Sequence, residues 1–366
     1  MNNNAFEFGG FTVPAGCRRI FITAQLEPSN GDPRIQPTGF PDVGPVYYPD
    51  PNTDRETTKG LICLIQSEPA MANLLEEVCL ADKYVGTLKE ALGTLPYLKV
   101  TADGKPDGEF KTSSTIDGHR FASEYLMKSK GKFEEDHTDE DLVDFVKRKL
   151  RATGTEGDSI PAANVPNIFR LAMELDPLSL IHGFQVSIKN RLTFVGLRSP
   201  RALTACILGY RCEQRVVPGV RFDPIGTGDA GQAIFQKERL VAKDIEAQFA
   251  IDVGLLETLR LASDDKKELR KPRVDLLVGL SLWKVATLLS EFEIQRSLRT
   301  ECKLRLKAGS AVKYTCDGRT PDHPFDYKAL VDAKSSEDGG KHQLHDFIKK
   351  AELPKDRSPL TLKFYA

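Results

Sequence analysis

Residues Arg34–Gly44 read RIQPTGFPDVG, and residues 61–79 read LICLIQSEPAMANLLEEVC. The first segment is a loop. Pro37 and Pro41, Gly39 and Gly44, and Asp42 crowd into it, which forbids a continuous helix or central strand and favours fixed turns with main-chain N–H groups on offer. The second segment is a strand that feeds a helix. LICLI is a short apolar run, Ser67 stands where a helix cap belongs and Pro69 falls in the first turn. Met71, Leu74, Leu75 and Val78 follow at i, i+3, i+4 and i+7, the spacing of one buried stripe, with Asn73 off it and free to bind a partner.

Working outward, residues 18–28 (RRIFITAQLEP) alternate: Ile20, Ile22, Ala24 and Leu26 on one side, Arg19, Phe21, Thr23 and Gln25 on the other. That is a half-buried strand. Strand character returns at 201–213 and 248–256, an almost wholly apolar helix is expected at 274–290, and SLRTECKLRLK closes the set at 296–307. In that last run Leu298, Thr300, Cys302, Leu304 and Leu306 share one face, and Arg299, Lys303, Arg305 and Lys307 share the other. The order strand, helix (68–80), strand, strand, helix, strand is the split βαββαβ plan of ferredoxin-like and RRM domains, an α+β fold, here carrying large insertions. Within the first insertion a helix is expected over 138–152, opened by Thr138 with Asp141 three residues on, and another over 165–175 after Pro166. Between 216 and 247, Pro218, Gly219, Pro224, Gly226, Gly228 and Gly231 break the pattern, which predicts an extended excursion.

Composition is that of an ordinary globular protein. Lys and Arg (51) balance Asp and Glu (52), so a nucleic-acid role must rest on local patches rather than on net charge. Seven cysteines form no CxxC and read as reduced core thiols rather than a disulfide framework or zinc site. No apolar run approaches a membrane span, and the start MNNNAFEFGG lacks a signal pattern, so a cytoplasmic location with no membrane partner is expected. One stretch does carry a local charge excess. Between 185 and 221, Lys189, Arg191, Arg198, Arg201, Arg211, Arg215 and Arg221 face a single acid, Glu213, and a groove lined that way tracks a phosphate backbone. The opposite reading of the same residues is a solvated face paired with acids elsewhere, such as the run EEDHTDEDLVD at 134–144.

The two opening segments resemble the backbone subunit of type I-U (also called I-G) CRISPR surveillance complexes of the Cascade kind, members of the repeat-associated RNA-binding (RAMP) superfamily. The family pattern is RFQPTGFPDLG followed by a strand running into SAQSMANRLE; here the second motif reads SEPAMANLLE, with Ala70 and Leu74 in place of Ser and Arg. Further matches are LPYLKV (95–100), TSSTIDGHRFASEYL (112–126), DPLSLIHG (176–183), RSPRALTACI (198–207) and SLRTECKLRL (297–306). The resemblance implies a palm in three parts (11–85, 186–215, 248–310), a fingers insertion (86–185), a thumb (216–247) and a C-terminal extension (311–366). It also implies a subunit without catalytic residues or cofactor that polymerises along crRNA and presents the spacer for pairing with target DNA. Its partners would be further copies of itself, a large subunit, a fused capping and processing subunit, and a recruited helicase-nuclease. The RNA-binding residues expected on this basis are Arg34, Gln36, Thr38, Gly39 and Phe40 of the loop, Gln66, Ser67 and Asn73 at the helix start, His119 and Arg120, and Lys189, Arg191, Arg198 and Arg201. The thumb would supply Phe222, Ile225 and Phe235 as wedges between bases.

Two other classes compete. A guide-RNA-processing endoribonuclease, as occurs among relatives in the superfamily, would use His119 as its base. Asp42 is a candidate catalytic acid by analogy with type III backbone subunits, which cleave RNA with a loop Asp, but in a loop of prolines an Asp that caps a turn is the better reading. GTGDAG at 226–231 is a formal GxGxxG, but Pro218 and Pro224 precede it, no earlier parallel strand is there for it to join, and Asp252 is too far along to serve as the acid of a dinucleotide site. HQLH at 342–345 has ligand-like spacing without a third donor.

Overall fold

The alternation of residues 18–28 becomes β1 (Arg19–Pro28), in which Ile20, Ile22, Ala24 and Leu26 are buried and the intervening residues are half-buried or exposed. In this computed structural model the described residues are 5–40, 44–51, 60–134, 138–151, 162–186, 197–220, 234–298, 302–318, 322–335, 339–354 and 358–364, excepting the side chains of 40, 44, 162, 163, 197 and 214–239. The main sheet also contains β2 (Leu61–Gln66), β3 (Leu203–Val220), β4 (Ile234–Val241), β5 (Asp244–Asp252), β6 (Lys303–Leu306) and β7 (Lys313–Cys316), with shorter strands at its edges. Its centre runs β6–β1–β5–β3, every neighbour antiparallel. In the βαββαβ plan that is the order fourth, first, third, second, the ferredoxin-like arrangement. The fold is α+β as expected, with α1 (Glu68–Glu77) as the first crossover helix.

β3 differs from its sequence expectation in an instructive way. It pairs with β5 from Leu203 to Tyr210 and with β2 through Ile207, Leu208, Gly209 and Cys212. Arg211 then adopts φ 52°, the register against β2 shifts between Gly209 and Cys212, and the strand changes partner. Bulges of this kind bend a strand and end one pairing. From Glu213↔Val241 to Val220↔Ile234 it pairs with β4 as a two-stranded ribbon. The excursion expected at 216–247 is therefore regular at its base, because a strand in a two-stranded ribbon has a free edge where Pro218 needs no N–H partner. Residues 221–233, with Phe222, Ile225 and GTGDAG, lie outside the described residues.

Besides a single turn at Glu124–Met127, the other α-helices among the described residues are α2 (Leu142–Leu150), α3 (Ile168–Leu175), α4 (Leu178–His182), α5 (Val253–Thr258), α6 (Arg270–Ile294), α7 (Tyr327–Val331) and α8 (Leu344–Lys350). α2 starts later than Thr138 predicts, with Asp141 at its cap position, because Glu140 and Asp141 first pair with Lys130 and Gly131 as strand. α3 starts after a 3₁₀ turn, Ala162–Asn167, that contains Pro166. α6 is buried along nearly its whole length, and packs against α1, α5, α7 and α8. The segment after β6 also does more than surround this core. Leu360–Lys363 runs parallel to Leu98–Thr101 in a second sheet with Phe110–Ser113 and Lys130–Gly131, so the chain end closes the insertion's own sheet. All seven cysteines are free thiols, and all but Cys206 are buried. No described helix is long and apolar enough to cross a membrane.

Candidate nucleic-acid interface

The Pro/Gly loop is fixed where the ribbon leaves the sheet. Ile35 pairs with Leu240 and Arg34 with Val241, and Val241 pairs with Glu213, so three chain segments lie side by side. Thr38 N–H donates to Leu64 O (2.7 Å), Val46 N–H to Thr38 O (2.9 Å) and Leu64 N–H to Val46 O (3.0 Å), while Gly39 and Phe40 pair with Pro45 and Gly44. Gln36 N–H donates to Cys302 Sγ at 3.3 Å. The N–H groups of Gln36 and Thr38 are thus spent internally, which corrects the expectation that they are on offer; exposed Gly39 and Arg34 form the loop's outer surface. Arg34 forks onto the Asp32 carboxylate (Nη2–Oδ2 2.7 Å) with 59% of its side chain exposed. A pair that wet contributes little, and a phosphate can replace the carboxylate. The ribbon beside it carries Arg215 opposite Arg239 and Val217 opposite Lys237 in its ladder, and at its root Arg211 is paired with Asp244.

The second expected group behaves differently. Gln66 is fully buried, with neither amide atom hydrogen-bonded, and so is no surface contact: β2 places it against Ile207 inside the sheet. Arg120 is also drawn inward. Its Nε and Nη2 reach Glu76 Oε1 and Oε2 at 2.5 and 3.0 Å, and Nη1 donates to Gly183 O at 3.0 Å. Asn73 is exposed on α1, and Ser67 occupies the cap position without a side-chain cap bond. His119 is exposed, its main-chain N–H held by Asp117 Oδ1 at 2.9 Å. Arg198 is exposed opposite Gln185, and Arg201 is half-buried. Lys189, Arg191, Arg221 and Asp42 lie outside the described residues, as do the side chains of Phe40 and Phe235.

What the motifs share is a buried polar junction. TSSTIDGHRF supplies Ser114, Thr115 and Arg120, DPLSLIHG supplies Asp176, Ser179 and His182, and α1 and the turn after it supply Glu76 and Cys79; a small cavity lies among several of them, lined also by Lys284 of α6. Lys284 Nζ lies 2.7 Å from His182 Nε2, both side chains buried. Ser179 Oγ donates to Asp176 and accepts from Phe121 N–H at 3.0 Å. Burial, followed by the charge of Lys284, pushes the His182 imidazole well below its usual value, so it stays neutral and accepts at Nε2. Burial pushes Asp176 up to about 6, against the bonds from Ser179 and Ser114 and the charge of Lys284. Lys284 is absent from the expected residues. Its signal was present: it is the only charge between 276 and 290, and a lone Lys inside an almost wholly apolar helical stretch must find a partner.

The raised Asp176 carboxyl gives a pH test. A folded-state value above the unfolded one contributes stability that is fully present below about pH 4 and lost as pH rises through about 6. Wild-type minus Asp176→Asn stability is therefore expected to fall by about 3 kcal/mol between pH 4 and 7, measured by urea unfolding. A pH-independent difference would contradict the assignment.

HQLH is tied down in two separate places. His342 Nε2 faces Val331 O at 3.1 Å, and His345 Nε2 faces Glu90 O at 3.0 Å. Among the described residues no cluster of three or more His, Cys, Asp or Glu can hold a metal ion.

The sequence model of the family described as CRISPR-associated protein GSU0053 matches residues 20–214, which takes in β1, the loop, α1, the insertion and β3 up to the ribbon. No curated protein sequence matches the chain. Among solved structures, a chain of an assembly described as "CRISPR RNA-guided surveillance complex, pre-nicking" aligns over 91% of this chain and 84% of its own, at 11% identity and a TM-score of 0.33.

Proposed function

The chain belongs to the family of CRISPR-associated protein GSU0053, and from that premise we propose that it is a non-catalytic backbone subunit which binds crRNA in several adjacent copies and presents the spacer to target DNA. The observation that carries the reading is the alignment of Arg34, the Pro/Gly loop and the root of the ribbon in one paired edge. A subunit whose guide reads sequence by base pairing needs cations and shape along the backbone rather than a reaction centre. Exposed Arg34 and Arg198, half-buried Arg201 and the Arg/Lys positions of the ribbon meet that need. Further copies, the large subunit, the capping and processing subunit and a helicase-nuclease are the partners this role requires.

The expected result is binding of unstructured single-stranded RNA with little sequence preference, log K falling with log salt by about 0.7 for each phosphate neutralised. The RNA should stay uncut, and His119→Ala and Asp42→Ala should leave its length unchanged. Affinity flat across salt contradicts RNA binding. Trimming of repeat RNA by wild type but not by His119→Ala would replace this reading with the endoribonuclease.

A further inference from the structure

The face of the main sheet opposite the helical layer carries none of the residues expected to bind RNA. Along β1, β3 and β5 it presents Phe21, Thr23, Gln25 and Glu27; Thr204, Cys206, Leu208 and Tyr210; and Glu246, Gln248 and Ala250. All are half-buried, while the alternating residues of the other face are buried. Its centre is a hydrogen-bonded row across three strands. Gln25 Nε2 donates to Glu246 Oε2 (2.7 Å), Gln248 Nε2 to Glu246 Oε1 (2.7 Å) and to the Tyr210 hydroxyl oxygen (2.8 Å). Glu246 has two amide donors and no cation in this row. The Tyr210 O–H and both glutamine carbonyl oxygens remain unused by it. Tyr48, 44% exposed, lies close enough to Tyr210 and Cys206 for these groups to affect one another's protons. Around the row stand three arginines, each on a carboxylate: Arg19–Asp252, Arg305–Glu27 and Arg211–Asp244, with arginine side chains 61%, 47% and 48% exposed.

We propose that this face is a second nucleic-acid contact that holds unstacked bases of a single strand, Tyr48 and Tyr210 stacking on them and Gln25, Glu246 and Gln248 bonding their edges. The inference rests on the RNA-binding reading above and adds a site to it. The charge pattern selects bases over phosphates at the centre: a carboxylate without a cation repels a phosphate but accepts from exocyclic amino groups, and amides and a phenol meet either donors or acceptors on a base edge. At the rim the reverse holds. The exposed arginine pairs contribute little to stability, so each arginine can exchange its carboxylate for a backbone phosphate.

The test compares two oligoribonucleotide probes of equal length, one with bases and one abasic, on wild type and on the variants Tyr48→Ala and Tyr210→Ala/Gln248→Ala. Tyr48→Ala changes an exposed side chain and keeps the test valid if the double variant misfolds. The expected result is that wild type prefers the base-containing probe and that each variant weakens that probe about tenfold. Binding of the abasic probe, and the salt slope, should not change. Equal weakening of both probes, or no weakening, overturns the inference. Unchanged affinity with fewer copies per RNA also overturns it, and makes the face a docking surface for a second copy. Wild type that binds neither probe defeats the RNA-binding reading itself; wild type that binds both equally defeats only this inference.

Discussion

Replacing Lys284 with alanine is expected to destabilise the protein by about 3–5 kcal/mol, the cost of stripping one partner from a buried charged cluster. The substitution removes the Nζ contact to His182 at 2.7 Å, the positive charge that favours ionised Asp176, and a fully buried stem. Lys284→Met refills the stem and separates volume from charge. If charge dominates, Lys284→Met remains clearly destabilised at pH 7, and adding Asp176→Asn recovers part of the loss because the orphaned carboxylate is gone. Urea unfolding at constant pH measures all three. A Lys284→Ala cost below about 1 kcal/mol would mean that water enters the junction and that the motifs are not held together there.

A second large effect is expected at the ribbon. Val220 and Ile234 pair directly, so a short Gly-Ser turn can replace residues 222–233 and close the ribbon without disturbing its base. The core lies elsewhere, in β1, β5, α1 and α6, and the free protein should melt within a few degrees of wild type. Ordered multi-copy assembly on guide RNA should be lost, since Phe222 and Ile225 go with the replaced segment. Unfolding of the variant, or assembly with unchanged copy number, would remove the ribbon from the account of assembly.

Much of the main sheet could be read from period-two alternation, and its packed helix from one apolar run, because burying one face of a sheet forces those patterns on β1, β3, β5 and β6. The change of partner at Arg211 could not be read. It depends on a single residue in a left-handed conformation, and no hydrophobic pattern records it. The C-terminal strand at Leu360–Lys363 pairs with Leu98–Thr101, a contact between chain segments too distant for local patterning to report. The site was legible in residue type but not in commitment. Arg34 and Asn73 face solvent, whereas Arg120 is engaged by Glu76 and Gln66 is buried in the sheet. Sequence shows that a polar residue is present; only the fold shows whether its bonds are already made.

The most direct test of the central claim is native mass spectrometry of the wild-type protein on unstructured RNAs of increasing length. A backbone subunit predicts a copy number that rises in regular steps with RNA length, each step adding one chain over a constant number of nucleotides. A single copy on every length, or no bound RNA at low salt, would contradict the account.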